Sequence, residues 1–295
     1  MPFDAVGFRV MKVEVSTGAG IETASGEAQQ GWRASLSLNY SQVGARTLLA
    51  HQHTGPLRVQ RPFFPEGGVN HTYVLHPPGG MVGDDVLDIA ASVGASTHTL
   101  ITTPGATKAY RNVCTQSRLT TTLQVDGTLE WLPQEVILFD KSKLASQTQI
   151  ILGRQARLIS WEIVCLGRPA GELPFVDGYG RFLTTVQDSK RLLLHDSLML
   201  DAKSSFMTSP WGLNQNTAIG VMLAYPGTTE LRDKVRDVLP SASFPVGVTL
   251  LNDLLVIRGM AAQAQDLRRI FIQVWELIRP LLLARAACPP RIWNT

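Results

Sequence analysis

Apolar and polar residues alternate along the first two thirds of the chain, which is the pattern of strands with one buried face. The alternation begins at Arg33, and Arg46–His53 predicts a returning strand across a turn at Gln42–Ala45. Further strands are predicted at short intervals: Leu57–Arg61, His71–His76, Val86–Val93, Ser96–Thr103, Arg118–Val125, Gly127–Leu132, Val136–Phe139, Thr148–Leu152, Ala156–Leu166, Arg181–Gln187 and Arg191–Leu200. No helical period occurs between residues 31 and 200, so this part is predicted to be β-structure.

The last third mixes helices and strands. Helical spacing predicts a helix over Thr228–Leu239, with Thr228 or Thr229 as its N-cap, and strands over Val248–Leu251 and Leu254–Ile257. A longer amphipathic helix is predicted over Ala261–Arg279, which Pro280 ends or kinks. The predicted fold class is therefore mainly β, a layered or solenoid-like β-sheet body with a small α+β C-terminal part that includes this long helix.

The same patterns divide the chain into three regions of one structural domain. Residues 1–30 form an N-terminal extension whose polar latter half is expected to be mobile. Residues 31–258 form the β-rich body, and residues 259–295 supply a C-terminal helix and a tail packed on that body. The tail Pro289–Trp293 ends in Arg291 and Trp293, residue types typical of interface anchors, so it is predicted to dock a partner. The alternative is that Trp293 folds back into the core.

Composition excludes several classes of protein. The net charge of +3 is too small to predict nucleic-acid binding, and no apolar run approaches 18 residues, so no membrane association is expected. Three widely spaced cysteines argue against a disulfide scaffold. These features predict a soluble, cytoplasmic protein. Only 17% of the residues are charged, which suggests a surface covered by partners.

Candidate metal-binding and acidic residues are few. His51 and His53 lie two apart on a predicted strand, so both side chains point to one face and could bind a metal ion, or they are an exposed pair near a turn. Asp84 and Asp85 precede a strand and either act functionally or accept backbone N–H groups in a turn. Glu162 lies in the apolar run Ile159–Leu166, so it requires either an arginine partner or water around it.

Signatures of enzymes are missing from the sequence. It contains no G-x-S-x-G elbow, no H-E-x-x-H pair and no P-loop lysine. The chain is therefore predicted not to be an enzyme. The alternative from this class is a β-solenoid hydrolase or lyase that uses Asp84, Asp85 and Glu162 as acid and base.

Several segments together resemble a known family. In order, they are GPLRVQRPFFPEG (Gly55–Gly67), LHPPGGMVGDD (Leu75–Asp85), TTPGATKAYR (Thr102–Arg111), LEWLPQE (Leu129–Glu135), LGR (Leu166–Arg168) and PPRIW (Pro289–Trp293). They are similar to the motifs of the urease accessory protein UreD, also called UreH, and the resemblance covers roughly Gly31 to the end. Two departures are Asp84, where the family usually has glycine, and Asn70, where it often has cysteine.

The resemblance implies a role in urease maturation. It implies binding to apo-urease and to the helical accessory protein UreF, which carries the nickel-loaded GTPase UreG. It also implies an internal, water-filled route for Ni²⁺, which is passed on and not held as a permanent cofactor. Residues matching the family's central motifs make Asp85, Thr107 and Glu162 candidates for lining this route, with His195 as a fourth. A passive interaction module that carries no ion is the remaining alternative.

Overall fold

The computed structural model describes residues 31–112, 115–239 and 242–294; the extension predicted for residues 1–30 lies outside them. The strands are β1 (Arg33–Val43), β2 (Arg46–Thr54), β3 (Arg58–Val59), β4 (Asn70–Leu75), β5 (Gly80–Met81), β6 (Val86–Val93), β7 (His98–Thr102), β8 (Thr107–Ala109), β9 (Ser117–Val125), β10 (Thr128–Trp131), β11 (Val136–Leu138), β12 (Ser142–Leu152), β13 (Arg157–Leu166), β14 (Gly178–Asp188), β15 (Leu192–Asp201), β16 (Ala218–Tyr225), β17 (Val246–Leu251) and β18 (Leu254–Ala261). The helices are α1 (Thr229–Val238) and α2 (Ala264–Leu283).

The central part of the chain winds as a β-solenoid. Three successive coils each contribute one strand to each of two facing sheets, with a short strand at the corner between them: β4–β5–β6, β7–β8–β9 and β10–β11–β12. Equivalent strands of successive coils pair in parallel, and β13 and β14 begin a fourth coil in the same way. The prediction of a mainly β, solenoid-like body with a long C-terminal helix is confirmed.

Antiparallel strands extend both sheets beyond the coils. The seven-stranded sheet runs β15-β14-β12-β9-β6-β1-β2, and the main path of the eleven-stranded sheet runs β17-β18-β16-β13-β10-β7-β4-β3. The predicted hairpins β1–β2 and β14–β15 are both found. Strand β16, which the sequence pattern did not predict, lies between β13 and β18 in the middle of the larger sheet. Its apolar run lacks alternation because both of its faces pack against other layers.

Apolar side chains fill two layers. One cluster lies between the two sheets, and a second lies on the outer face of the larger sheet beneath α1 and α2. Thr228 caps α1 as predicted, because its hydroxyl accepts the N–H of Leu231 at 3.1 Å. The helix predicted over Ala261–Arg279 spans Ala264–Leu283, so of the two possibilities for Pro280, the one in which it ends the helix is wrong: the helix continues through Pro280, and Leu282 and Leu283 are buried in the helix-side cluster. Their burial compensates for the backbone hydrogen bond that proline cannot donate.

Candidate functional site

A cavity of about 320 Å³ lies between the two sheets. Its walls come from all the coils, and three stacked connections line one end: Pro77–Gly79, Thr103–Thr107 and Pro133–Gln134. Pro77 and Gly105 in these connections are exposed, so the cavity opens to solvent at this corner of the solenoid.

Threonine hydroxyl groups form a row along the floor of this cavity. The strand registers place Thr121 opposite Thr148, Thr148 opposite Thr184, and Thr184 opposite Asp196 in four adjacent strands. Adjacent strands lie about 4.8 Å apart, so the row spans about 14 Å along the solenoid axis. Residues that lie directly opposite each other in adjacent strands have their side chains on the same face of the sheet. The whole row therefore lies on the inner face, between the two sheets.

The row leads into a second cavity of about 140 Å³. Glu162, Thr184 and Val221 line both cavities and mark where they meet. The far end of the second cavity carries an ion pair between Arg258 Nη2 and Asp196 Oδ2 at 2.8 Å. Arg258 is exposed, so the two cavities together form a path from one corner of the solenoid to the end of the sandwich, in which the threonine row is a polar strip along largely apolar walls.

Glu162 is the carboxylate at the junction. Burial, and to a lesser extent the negative charge of Asp196, raise the pKa of Glu162, a hydrogen bond with the Ser146 hydroxyl lowers it, and the net result is a pKa of about 7. No ion pair with Glu162 is formed within the described residues. The side chain lines both cavities and forms a hydrogen bond with Ser146, so the arginine partner that the sequence leaves open is not found within the described residues.

The other candidate lining residues differ in position. Thr107 lies at the solvent-exposed corner of the first cavity. Asp85 is not among the lining residues of either cavity: its carboxylate accepts the N–H groups of Trp32 at 2.7 Å and Val82 at 2.9 Å, as a turn acid does. Asp84 likewise accepts the N–H of Gly31 at 2.5 Å. His195 is exposed on the outer face of β15, where its neighbour Asp196 faces inward.

The histidine pair shows no metal-binding geometry. His51 and His53 are exposed on β2 with their rings stacked 6.2 Å apart, and His53 Nδ1 lies 3.0 Å from the Arg58 guanidinium. The positive charge of Arg58 disfavours a cation there. Within the described residues, no group of three or more metal-ligating side chains comes together.

A buried network of charged residues ties α2 to the larger sheet. Arg279 is fully buried and donates to both oxygens of Glu130, at 3.0 and 3.2 Å from Nε, and to Glu66 at 2.6 Å. The indole N–H of Trp275 donates to Glu130 at 2.6 Å. His98 lies 2.7 Å from Glu130, and His71 lies 2.7 Å from Glu66. The segments Gly55–Gly67 and Leu129–Glu135 therefore meet the last helix at this cluster.

The network keeps its carboxylates ionised. Burial raises the pKa of Glu66, but hydrogen bonds from His71 and Arg279 outweigh it and lower the pKa to about 2. Burial also raises the pKa of Glu130, and the combined effect of His98 and Arg279 leaves it below its usual value. This cluster was not predicted, although a glutamate in the motif LEWLPQE and an arginine in an apolar helix stripe were signals available in the sequence.

The C-terminal tail turns back onto the body. Trp293 is half-buried against Trp161 and Trp275, with ring centroids 5.4 and 5.5 Å away, and its indole N–H donates to the Thr102 hydroxyl at 3.2 Å. This corresponds to the alternative in which Trp293 folds back into the core. Arg291, the other candidate for partner binding, is exposed.

We expect Trp293→Ala to lower the free energy of unfolding by about 2 kcal/mol, because it removes half-buried aromatic contacts and one hydrogen bond. Urea denaturation of the full chain measures this change. Trp211→Ala is the matched control, since Trp211 is 73% exposed and its loss should change stability by less than about 0.5 kcal/mol. Equal stability of Trp293→Ala and the parent would show that the packing of the tail contributes nothing.

Comparison with known proteins matches almost the whole described chain. The sequence model of the family described as UreD urease accessory protein matches residues 32–294. The urease accessory protein UreD of Aliivibrio fischeri is 38% identical over 282 residues, covering 91% of this chain and 98% of that protein. The UreD of Klebsiella pneumoniae subsp. pneumoniae is 40% identical over 272 residues, covering 90% and 97%. None of the helices in the described part of the chain is long and apolar enough to span a membrane.

Proposed function

Because this chain belongs to the UreD family of urease accessory proteins and thereby has a role in urease maturation, we propose that it is a non-catalytic scaffold that passes Ni²⁺ to urease through its interior. The observation that carries this proposal is the path between the two sheets, with its row of hydroxyl and carboxylate groups. It runs from the corner at Thr107, past the threonine row, to Glu162 and Asp196.

The chemistry of the path suits passage better than storage. Thiolates and clustered imidazoles bind Ni²⁺ tightly, whereas separate hydroxyl and carboxylate groups bind a hydrated divalent ion weakly. Conduction requires binding that is strong enough for entry and weak enough for release. Glu162 and Asp196 supply carboxyl groups at the second cavity, and the threonine hydroxyls supply neutral oxygen ligands along the way.

The expected partners follow from the family. We propose that the protein binds apo-urease and a UreF-type helical protein in the cytoplasm, and receives Ni²⁺ from a UreG-type GTPase through UreF. The ion stays only in transit, so no permanent cofactor is expected. Exposed Arg291 remains a candidate for partner contact beside the packed Trp293.

The acid–base hydrolase or lyase has less support. Asp84 and Asp85 are engaged by backbone N–H groups at the start of β1 and in the turn before β6, and neither lines a cavity with Glu162. General acid–base catalysis needs both carboxyl groups within reach of one substrate. The passive interaction module differs from the conduit only because it carries no ion. A variant that blocks the path therefore distinguishes the two hypotheses.

Tryptophan at Thr107 or Thr184 is expected to abolish urease activation, because the indole would fill the path at its exposed corner or at the junction of the two cavities. The measurement is urease activity and nickel content in cells that express the urease subunits and all accessory proteins. Thr185→Trp is the matched control, since Thr185 is the next residue of β14 and faces outward opposite His195.

Complex formation, followed by affinity purification, should survive in all three variants. Full activation by Thr107→Trp and Thr184→Trp in intact complexes would contradict the conduit and leave the passive module. Equal loss in Thr185→Trp would assign the effect to disturbance of β14 instead of the path.

A further inference from the structure

Among the described residues that line the far mouth of the path, Arg258 is the one with a positive side chain, and it lies beside carboxylates. In the strand register, Glu162 of β13 lies opposite Val221 of β16, and Val221 lies opposite Arg258 of β18. Glu162 and Arg258 therefore lie on the same face of the larger sheet, two strands apart. Opposite them, the threonine row of the smaller sheet ends at Asp196.

Arg258 binds the carboxylate that ends this row. Its Nη2 donates to Asp196 Oδ2 at 2.8 Å and joins the two sheets across the mouth. The side chains of Arg258 and Asp196 are 48% and 32% exposed, so the pair is open to water on one side and to the second cavity on the other. An exposed ion pair of this kind is held weakly and can exchange its cation.

We propose that Arg258 is a built-in competitor for the divalent ion at Asp196, which keeps the affinity of the mouth low enough for release. This inference rests on the proposed conduit. A metal ion that reaches the mouth has to displace the guanidinium from Asp196 before it can bridge to Glu162. When the ion leaves, the Arg258 guanidinium returns to Asp196 and neutralises its carboxylate. Release of the ion therefore does not leave two neighbouring carboxylates without a cation.

The chain offers a matched ion pair elsewhere in the same two sheets. Arg191 Nη2 donates to Asp253 Oδ2 at 3.1 Å, between the connection before β15 and the turn before β18. This pair also links the sheets and is also exposed, but neither residue lines a cavity. Arg191→Gln therefore removes one equivalent positive charge and one equivalent sheet-to-sheet contact away from the path.

The test is the affinity of the purified full-length chain for Ni²⁺, measured by equilibrium dialysis. Arg258→Gln should bind Ni²⁺ about tenfold more tightly than the parent, because a competing charge a few ångströms from the site is gone. Arg191→Gln and Arg258→Lys should stay within about twofold of the parent, the latter because it keeps the charge. Adding Glu162→Gln to Arg258→Gln should remove the gain, which assigns it to the mouth and not to exposed histidines.

An unchanged affinity in Arg258→Gln, or an equal gain in Arg191→Gln, would overturn the proposal. Thermal unfolding of each variant identifies any that fails to fold, and Arg258→Lys then still tests whether a positive charge alone preserves the low affinity. Failure here is separable from failure of the conduit. If Thr184→Trp blocks urease activation but Arg258→Gln leaves Ni²⁺ affinity unchanged, the conduit stands and the competitor role falls.

Discussion

Replacing Arg279 with methionine is expected to lower the free energy of unfolding by about 3–5 kcal/mol, because it leaves the fully buried Glu130 and the largely buried Glu66 without the guanidinium that bridges them. Arg279 bridges Glu130 and Glu66 and also donates to the carbonyl of Ala286 just beyond α2. Glu130 is fully buried, so no water replaces the lost guanidinium. The helix should detach from the larger sheet first, since this cluster joins α2 to β10 and to the loop at Glu66.

Urea denaturation and proteolysis of the full chain measure this loss. Arg269→Met is the matched control, because Arg269 lies on the exposed face of the same helix and, among the described residues, its ion pair is with Asp266 at 3.1 Å. Its effect should stay below about 1 kcal/mol. Adding Glu130→Gln to Arg279→Met should recover part of the loss by removing one stranded charge. If Arg279→Met and Arg269→Met unfold alike, the network does not hold the helix.

Strand periodicity predicted the body of the fold well. Hairpins β1–β2 and β14–β15 were predictable because buried and more exposed positions alternate along β1 and β14, and a short turn precedes each returning strand. The long apolar run of β13 was readable as a central strand for the opposite reason, since both its faces are buried. Strand β16 has a similar apolar run but was missed, and the corner strands β5 and β8 are too short to show any period.

The candidate site was predicted only in part. Thr107 and Glu162 line the path, whereas His195 lies one residue from the inward-facing Asp196. Successive residues of a strand point to opposite faces of the sheet. His195 was chosen for its residue type, and an error of one position in the strand is enough to select the outer face. The threonine row depends on the registers of three strand pairings, two parallel and one antiparallel. A local sequence pattern does not reveal these registers. The partners of Arg279 are likewise far apart in the chain.

Glu162→Gln is expected to stabilise the protein above neutral pH while it abolishes urease activation. The pKa of Glu162 is about 7 in the folded chain, against 4.5 for the free side chain. Between these two values the folded state holds a proton that the unfolded state has lost, so the parent becomes less stable as the pH rises through this window. At pH 8 the accumulated difference is about 3 kcal/mol, and the neutral amide of glutamine avoids it.

The two effects of Glu162→Gln point in opposite directions, and this makes the experiment informative. A carboxyl group that destabilises the fold at neutral pH has no structural reason to be glutamate, because glutamine can keep the hydrogen bond with Ser146. If the charge serves the passing ion, the more stable variant should assemble with its partners and leave urease without nickel. Urea denaturation at pH 5 and pH 8 measures the first effect, and urease activity with nickel content measures the second. A variant that is more stable at pH 8 and still activates urease fully would show that the charge at the junction has no part in ion transfer.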